Sequence, residues 1–261
     1  MRDIALTRAV SASLPRCELT YLPRQAIDID LARRQHAAYE TLLASLGFDI
    51  VRLPSLDEQP DAVFVEDAAI ALDELAVVAP MGAPSRTAES ATIAEALARF
   101  RPITHLVPPA TLDGGDVLRA GRRLYVGQSR RTNAAAAHQL ARVLAPYEYE
   151  VISVSVGGAL HLKSACSFVG ANSILANPEW VDVAPFAGFE LITADPAEPW
   201  AASVLRARDS LVMQLGFPRT AATLRARAMA VHEIDLSELR KAEGGPTCLS
   251  ILLTAETPET R

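Results

Sequence analysis

Three kinds of side chain in this sequence could carry out nucleophilic chemistry together. The first is a lone thiol, Cys248, which ends the stretch Glu243-Gly244-Gly245-Pro246-Thr247-Cys248 and precedes the apolar run Leu249-Ser250-Ile251-Leu252-Leu253. Glycines let backbone approach a ligand closely, and a thiol at the mouth of a buried strand can have its thiolate fraction tuned by its surroundings. The second is an imidazole, His161, and the third a set of carboxylates: Asp61, Glu66, Asp67, Asp113 and Asp116. A thiol and a histidine brought together, with a carboxylate to orient the ring, are the ingredients of nucleophilic catalysis. Arg86 and Arg131 recur at the same turn position of two repeats, and arginine is suited to bidentate capture of a carboxylate. Each of these residues alone has a plainer use. A free cysteine is most often a small buried hydrophobe, Asp113-Gly114-Gly115-Asp116 is ordinary turn composition, and Asp116 is read as structural. Only a fold that gathers them makes a site.

The elements that would gather them repeat. Residues 3–10 read as a strand, followed by an irregular stretch to about residue 29. A helix then runs from about Asp30 to Leu46, with Leu31, Tyr39, Leu42, Leu43 and Leu46 as its apolar stripe, and a strand follows over 48–53. From there the order strand, strand, Gly-to-Arg-Thr turn, helix, strand recurs at a spacing of roughly 45–50 residues, the signature of a solenoid or propeller-like array. The units begin at Ala62–Asp67, at Thr111–Asp116 and at Ala201–Leu205, with a shorter version starting at His161. The C-terminal strand with the N-terminal strand and helix makes a fifth unit, and joining the two ends removes exposed sheet edges. The expected fold is therefore a five-bladed pseudo-symmetric α/β propeller, one domain over residues 1–261. An open doubly wound sheet is the competitor, but no Gly-x-Gly-x-x-Gly follows a strand. In such a ring the equivalent strand ends converge, so Asp61, Glu66, Asp67, Asp113, Asp116, His161, Lys163 and Cys248 meet in one central pocket.

Composition narrows the partners. The chain has 261 residues, half of them apolar, and a net charge of −6 with both signs interspersed. That argues against nucleic acid and anionic membrane. Cys17, Cys166 and Cys248 are odd in number and far apart, which argues against a disulfide framework or a zinc site. No apolar segment approaches membrane-spanning length. A soluble protein of a reducing, cytoplasmic compartment is expected; pairing into a homodimer is left open.

The motifs then resemble a known family. Phe64-Val65-Glu66-Asp67, Gly82-Ala83-Pro84-Ser85-Arg86, Thr111-Leu112-Asp113-Gly114-Gly115-Asp116, Val126-Gly127 with Ser129 and Arg131-Thr132-Asn133, His161-Leu162-Lys163-Ser164, and Gly244-Gly245 with Thr247-Cys248 are similar, in this order, to those of the dimethylarginine dimethylaminohydrolases. These belong to the guanidine-modifying pentein superfamily of five-bladed α/β propellers. The resemblance spans nearly the whole chain and is weakest from about 177 to 200. It implies that Cys248 is the nucleophile, His161 the proton donor and water activator, and Asp113 the residue orienting His161. It implies further that Asp61 and Glu66 hold the guanidinium and that Arg86 and Arg131 clamp the α-carboxylate, with Asp67 supporting the amino-acid end. Ala242 would offer its carbonyl to the α-amino group, and Leu19 would be the lid residue. Glu243 stands where the family carries Asp, beside the substituted end of the guanidine, and an extra methylene there bears on substrate size.

The reaction so implied is hydrolysis of N-methylated arginine to citrulline without metal or cofactor. A guanidinium keeps its charge, so its binding would favour the thiolate of a Cys248 that is mostly thiol in the empty site. Arginine deimination is the rival within the superfamily, and a non-catalytic propeller binding a cationic amino acid is the rival outside it. A thiol peptidase ranks last, because carboxylates around the thiol would repel an oxyanion.

Overall fold

The computed structural model describes residues 3–254; residues 1–2 and 255–261, the ends of the unit expected over 1–261, lie outside the described residues. In chain order, strand β1 (Ile4–Arg8), helix α1 (Ile29–Ser45) and β2 (Asp49–Leu53) come first. Then come β3 (Ala69–Ala71), β4 (Ala76–Val78), α2 (Glu89–Leu97) and β5 (Ile103–His105), followed by β6 (Val117–Ala120), β7 (Arg123–Gln128), α3 (Ala134–Leu144) and β8 (Glu150–Ser155). A short α4 (Leu162–Ala165) leads into β9 (Cys166–Gly170), β10 (Ser173–Ala176) and β11 (Glu190–Thr193). The last elements are β12 (Val204–Ala207), β13 (Ser210–Gln214), α5 (Pro218–Arg225), β14 (Ala230–Ile234), α6 (Ser237–Arg240) and β15 (Ile251–Leu253).

These strands form five three-stranded sheets of one pattern. In each, the middle strand is antiparallel to the inner one and parallel to the outer one. A parallel neighbour requires a crossover, which a helix supplies in four sheets. Between β10 and β11 the crossover carries only a 3-10 turn (Ala184–Phe186), because Pro178, Pro185 and Gly188 interrupt any helical run. Inner strands such as β6 and β12 are mostly buried, whereas the outer strands β2 and β14 are half-buried and β11 is largely exposed.

The apolar core settles whether the sheets form a row or a ring. An open row of five would bury four interfaces. Here there are five clusters, one between each neighbouring pair, including the pair that joins the last sheet to the first. In that first sheet the N-terminal β1 pairs antiparallel with the C-terminal β15, Ile4 opposite Leu253. The molecule is thus a five-bladed α/β propeller. No helix among the described residues is long and apolar enough to cross a membrane.

The strand expected from Ala201 starts only at Val204, and the boundaries that bear on the chemistry differ at the centre. The stretches expected to begin as strands at Ala62 and Thr111 instead turn as 3-10 helices over Val65–Ala68 and Gly114–Asp116, with strands starting only at Ala69 and Val117. Backbone bonds close these turns, Asp67 N–H to Phe64 O and Asp116 N–H to Asp113 O. Cys248 likewise lies in a turn, its N–H on Gly245 O at 3.2 Å, ahead of β15. The chemistry-bearing residues are therefore on turns at the mouths of inner strands, held by the blades and free of sheet pairing themselves.

Candidate active site

The turns converge on one pocket. Cys248, His161, Asp61, Asp67, Arg86, Arg131, Ala242 and Glu243 line it, together with Glu18, Phe64, Leu160 and Gly244. Asp113 lies fully buried behind His161. Glu66 adjoins the thiol through its own backbone, its N–H donating to Cys248 O at 3.3 Å. Leu19 packs against the apolar cluster that also holds Cys248. A roomier cleft between α2 and the β4–β5 pair is lined by Val78, Thr87, Ala91, His105 and neighbouring residues, and it contains no thiol or carboxylate.

His161 caps the start of α4 and is 2% exposed. Its Nε2 meets Asp113 Oδ2 at 3.2 Å and its Nδ1 faces Asp67 Oδ1 at 3.6 Å. Burial alone would depress the imidazole pKa, but Asp67, Asp113 and Asp116 outweigh it and raise it to about 9. Asp116 also accepts the Leu162 N–H at 2.8 Å and the Ser129 hydroxyl at 2.6 Å. That hydroxyl in turn accepts the Arg131 N–H at 3.0 Å. One buried carboxylate thereby fixes the His161 turn to the Arg131 turn. Gly115 must be glycine: a Cβ there would stand 2.6 Å from His161 Nδ1, while its N–H donates to Asp67 at 3.2 Å.

Cys248 is partly buried. The Gly245 N–H points at its sulfur at 3.5 Å, and the Thr247 hydroxyl lies at 3.8 Å. Burial, then the charges of Asp67 and Glu66, push the thiol up to about 12. The resting pair is therefore a thiol beside an imidazolium. Gly244 is fixed by Phe64, whose Cε1 would lie 2.2 Å from an added Cβ.

The carboxylates divide by neighbour. Asp67 bridges the two ends of the site, facing His161 on one oxygen and taking Arg86 Nη1 at 2.7 Å on the other. Burial opposes its ionisation, yet His161 and Arg86 keep its pKa below the usual value. Asp61 instead accepts the Glu18 N–H at 3.1 Å, and burial raises its pKa. Glu66 accepts Lys163 Nζ at 2.6 Å through Oε1. Its Oε2 is buried with no hydrogen-bond partner, and burial raises its pKa despite the lysine. The two arginines differ as well. Every nitrogen of Arg86 is engaged, with Glu89, Asp67 and the carbonyls of Asp61 and Phe64. Arg131 Nη1 is buried without a hydrogen bond, 3.7 Å from Asp113.

Glu243 departs from its expected setting. Its carboxylate accepts the backbone N–H groups of Thr20, Tyr21 and Leu22. It is bound to the segment that carries Leu19, although it also lines the pocket. Asp67, Asp113 and His161 offer donor atoms within 4.8 Å of one another, close enough for a metal ion, but here they share protons and partners among themselves. Sequence reasoning missed Glu18, Phe64 and Leu160 as lining residues. Phe64 stood inside a recognised motif, whereas Glu18 and Leu160 carry no local signal, because backbone path alone brings them in.

The raised imidazole pKa has a consequence for stability. The folded form holds this proton more tightly than the unfolded chain, whose value is 6.5. The stabilisation is full below pH 6.5 and is lost as pH rises through about 9. It amounts to about 3 kcal/mol, and the raised thiol value acts in the same direction at higher pH. The melting temperature should fall between neutral and strongly alkaline pH, with a shallower fall in His161→Gln. A melting temperature flat over that range in the wild type would contradict the carboxylate cage.

Comparison with known proteins is consistent from sequence to fold. Residues 22–184 match the family model described as N,N dimethylarginine dimethylhydrolase, eukaryotic. The chain is 36% identical over 250 residues to the N(G),N(G)-dimethylarginine dimethylaminohydrolase of Streptomyces coelicolor, covering 95% of this chain and 96% of that protein. It is 34% identical over 226 residues to the protein of the same name from Pseudomonas aeruginosa, covering 86% and 89%. A solved structure of the Pseudomonas aeruginosa protein, a cysteine-to-serine mutant complexed with citrulline, superposes with a TM-score of 0.92. The two are 32% identical, over 97% of this chain and 100% of that one.

Proposed function

The chain belongs to the dimethylarginine dimethylaminohydrolase family, and from that premise we propose that it hydrolyses N-methylated arginines to citrulline and a methylamine through a covalent intermediate on Cys248. One observation carries the reading. Two buried charged atoms lack hydrogen-bond partners, the guanidinium nitrogen Arg131 Nη1 in the pocket lining and the carboxylate oxygen Glu66 Oε2 next to the Cys248 turn. A buried polar group without a partner is costly, and an amino acid bearing a guanidinium at one end and a carboxylate at the other supplies both.

In this reading Glu66 and Asp67, the carboxylates whose charges act on Cys248, take the guanidinium. Asp61, beside Glu18 and the Arg86 side chain, serves the amino end with the Ala242 carbonyl. This exchanges the roles the motifs suggested for Asp61 and Asp67, and the reason is the contact of Asp67 with His161. Arg131 takes the α-carboxylate. Arg86, fully engaged, positions Asp67 and adds charge.

The chemistry follows from the resting protonation states. His161 already carries a proton, so it cannot take the thiol's. The bound cation lowers the Cys248 pKa and the thiol proton leaves to solvent. The thiolate adds to the guanidinium carbon, and the C–N bond breaks as His161 donates its proton to the departing methylamine. A thiouronium remains on sulfur. Water, giving one proton to the now neutral His161, attacks the same carbon; the C–S bond breaks, thiolate returns, and the second water proton passes to solvent as citrulline leaves.

Purified protein incubated with dimethylarginine, monomethylarginine and arginine tests this. Citrulline is expected from the two methylated substrates. Citrulline from arginine alone, or from none of the three, overturns the assignment.

A further inference from the structure

The segment over residues 18–28 has almost no regular structure, yet one short stretch of chain grips it along its length. At its far end Asp28 donates its N–H to Glu238 at 2.9 Å, and in the middle the Ala26 carbonyl accepts Lys241 Nζ at 2.9 Å. At its near end three successive N–H groups, of Thr20, Tyr21 and Leu22, converge on the Glu243 carboxylate at 2.5 to 3.1 Å. The gripping residues 238–243 run directly into the turn that carries Cys248. Glu243 itself sits at φ +60, a left-handed conformation that side-chain-bearing residues adopt at a cost. Such strain persists where surrounding contacts over-determine it. Gly244, wedged under Phe64, fixes the direction in which the chain leaves.

We infer that Glu243 is a positioning and specificity residue that latches the 20–22 segment over the pocket, so that the room left for the N-substituents of a guanidinium is set by a carboxylate committed to the lid. The inference rests on the hydrolase reading for its substrate and on the contacts above for its mechanics. A carboxylate at full glutamate length reaches the three amides from the nucleophile's own loop. Aspartate, one methylene shorter from the same backbone position, does not. The negative charge stays at the pocket wall in either case, while the position of the lid does not.

Amide hydrogen exchange in the unliganded protein reads the latch directly, without turnover. In Glu243→Asp, exchange at Thr20, Tyr21 and Leu22 should speed up about tenfold, the worth of roughly one charge-assisted hydrogen bond. In Glu243→Gln, which keeps the reach but not the charge, the rise should be smaller. Asp28, held by Glu238, should be unchanged in both and serves as the internal control. For dimethylarginine, KM in Glu243→Asp should rise about tenfold while kcat changes less. Unchanged exchange at 20–22 in both variants would overturn the latch, and faster exchange with unchanged KM would overturn its link to substrate. Faster exchange in the variants, with no citrulline formed by the wild type or the variants, would leave the latch standing and remove the hydrolase reading instead.

Discussion

Cys248→Ala should reduce citrulline formation by about ten-thousandfold or more, the scale on which removal of a covalent nucleophile acts. No other group in the pocket can replace it. The remaining functional side chains of the lining are carboxylates already bound to cations, amides or the Ser85 hydroxyl, arginines, and an imidazole whose proton is held by Asp113 and Asp67. Binding should survive, because the charged atoms that lack hydrogen bonds, Glu66 Oε2 and Arg131 Nη1, are untouched by the change. The measurement has two parts. Wild-type protein quenched during turnover should carry an adduct on the peptide containing Cys248, and the alanine variant should bind dimethylarginine without forming it. Appreciable turnover in the variant would mean that water attacks the guanidinium directly, and the covalent route would fall.

His161→Gln should lower kcat by about a thousandfold, within the range for a general acid–base group. In the proposed reaction the residue serves both halves, protonating the amine and then deprotonating water. The more telling readout is pH. The resting site carries two protons, one on a thiol raised to about 12 and one on an imidazole raised to about 9. The reactive complex, thiolate with imidazolium, has one proton fewer. The pair therefore has to lose a proton on the way from free enzyme to reactive complex, and kcat/KM should rise with pH until the first free-enzyme value, about 9, is passed. Glutamine cannot titrate, so in the variant that limb should move up toward the thiol's own value. A wild-type profile that falls between neutral pH and 9 would show that the empty site already holds thiolate, contrary to burial beside Asp67 and Glu66.

How much of this was legible in the sequence varies element by element. The α1 helix is legible within a residue at each end, because its apolar stripe is a local signal. The repeat gave five units, and the pairing of β1 with β15 followed from the need to remove sheet edges. The starts of the inner strands were predicted too early. Apolar composition at Ala62–Val65 and the run after Cys248 look like strand, but the backbone there turns on itself so that Asp67 and Cys248 can face the pocket, with Asp113 behind His161. Propensity yields to such tertiary demands at functional turns. The residues that line the pocket were mostly found, since motif spacing marks them; what each one touches was not.

The sequence by itself determined the period, the five-bladed class, the thiol and histidine pair and the set of charged residues around it, because these depend on local pattern and on residue type. Tertiary structure alone decided that Asp67 faces His161 while Asp61 lies under Glu18, that every nitrogen of Arg86 is hydrogen-bonded while Arg131 Nη1 is not, and that Glu243 reaches for the 20–22 segment. Those outcomes depend on partners far away in the chain, such as Glu243 with Tyr21 at a separation of 222 residues. Distance and desolvation also set the charge states, and neither exists until the blades close around the centre.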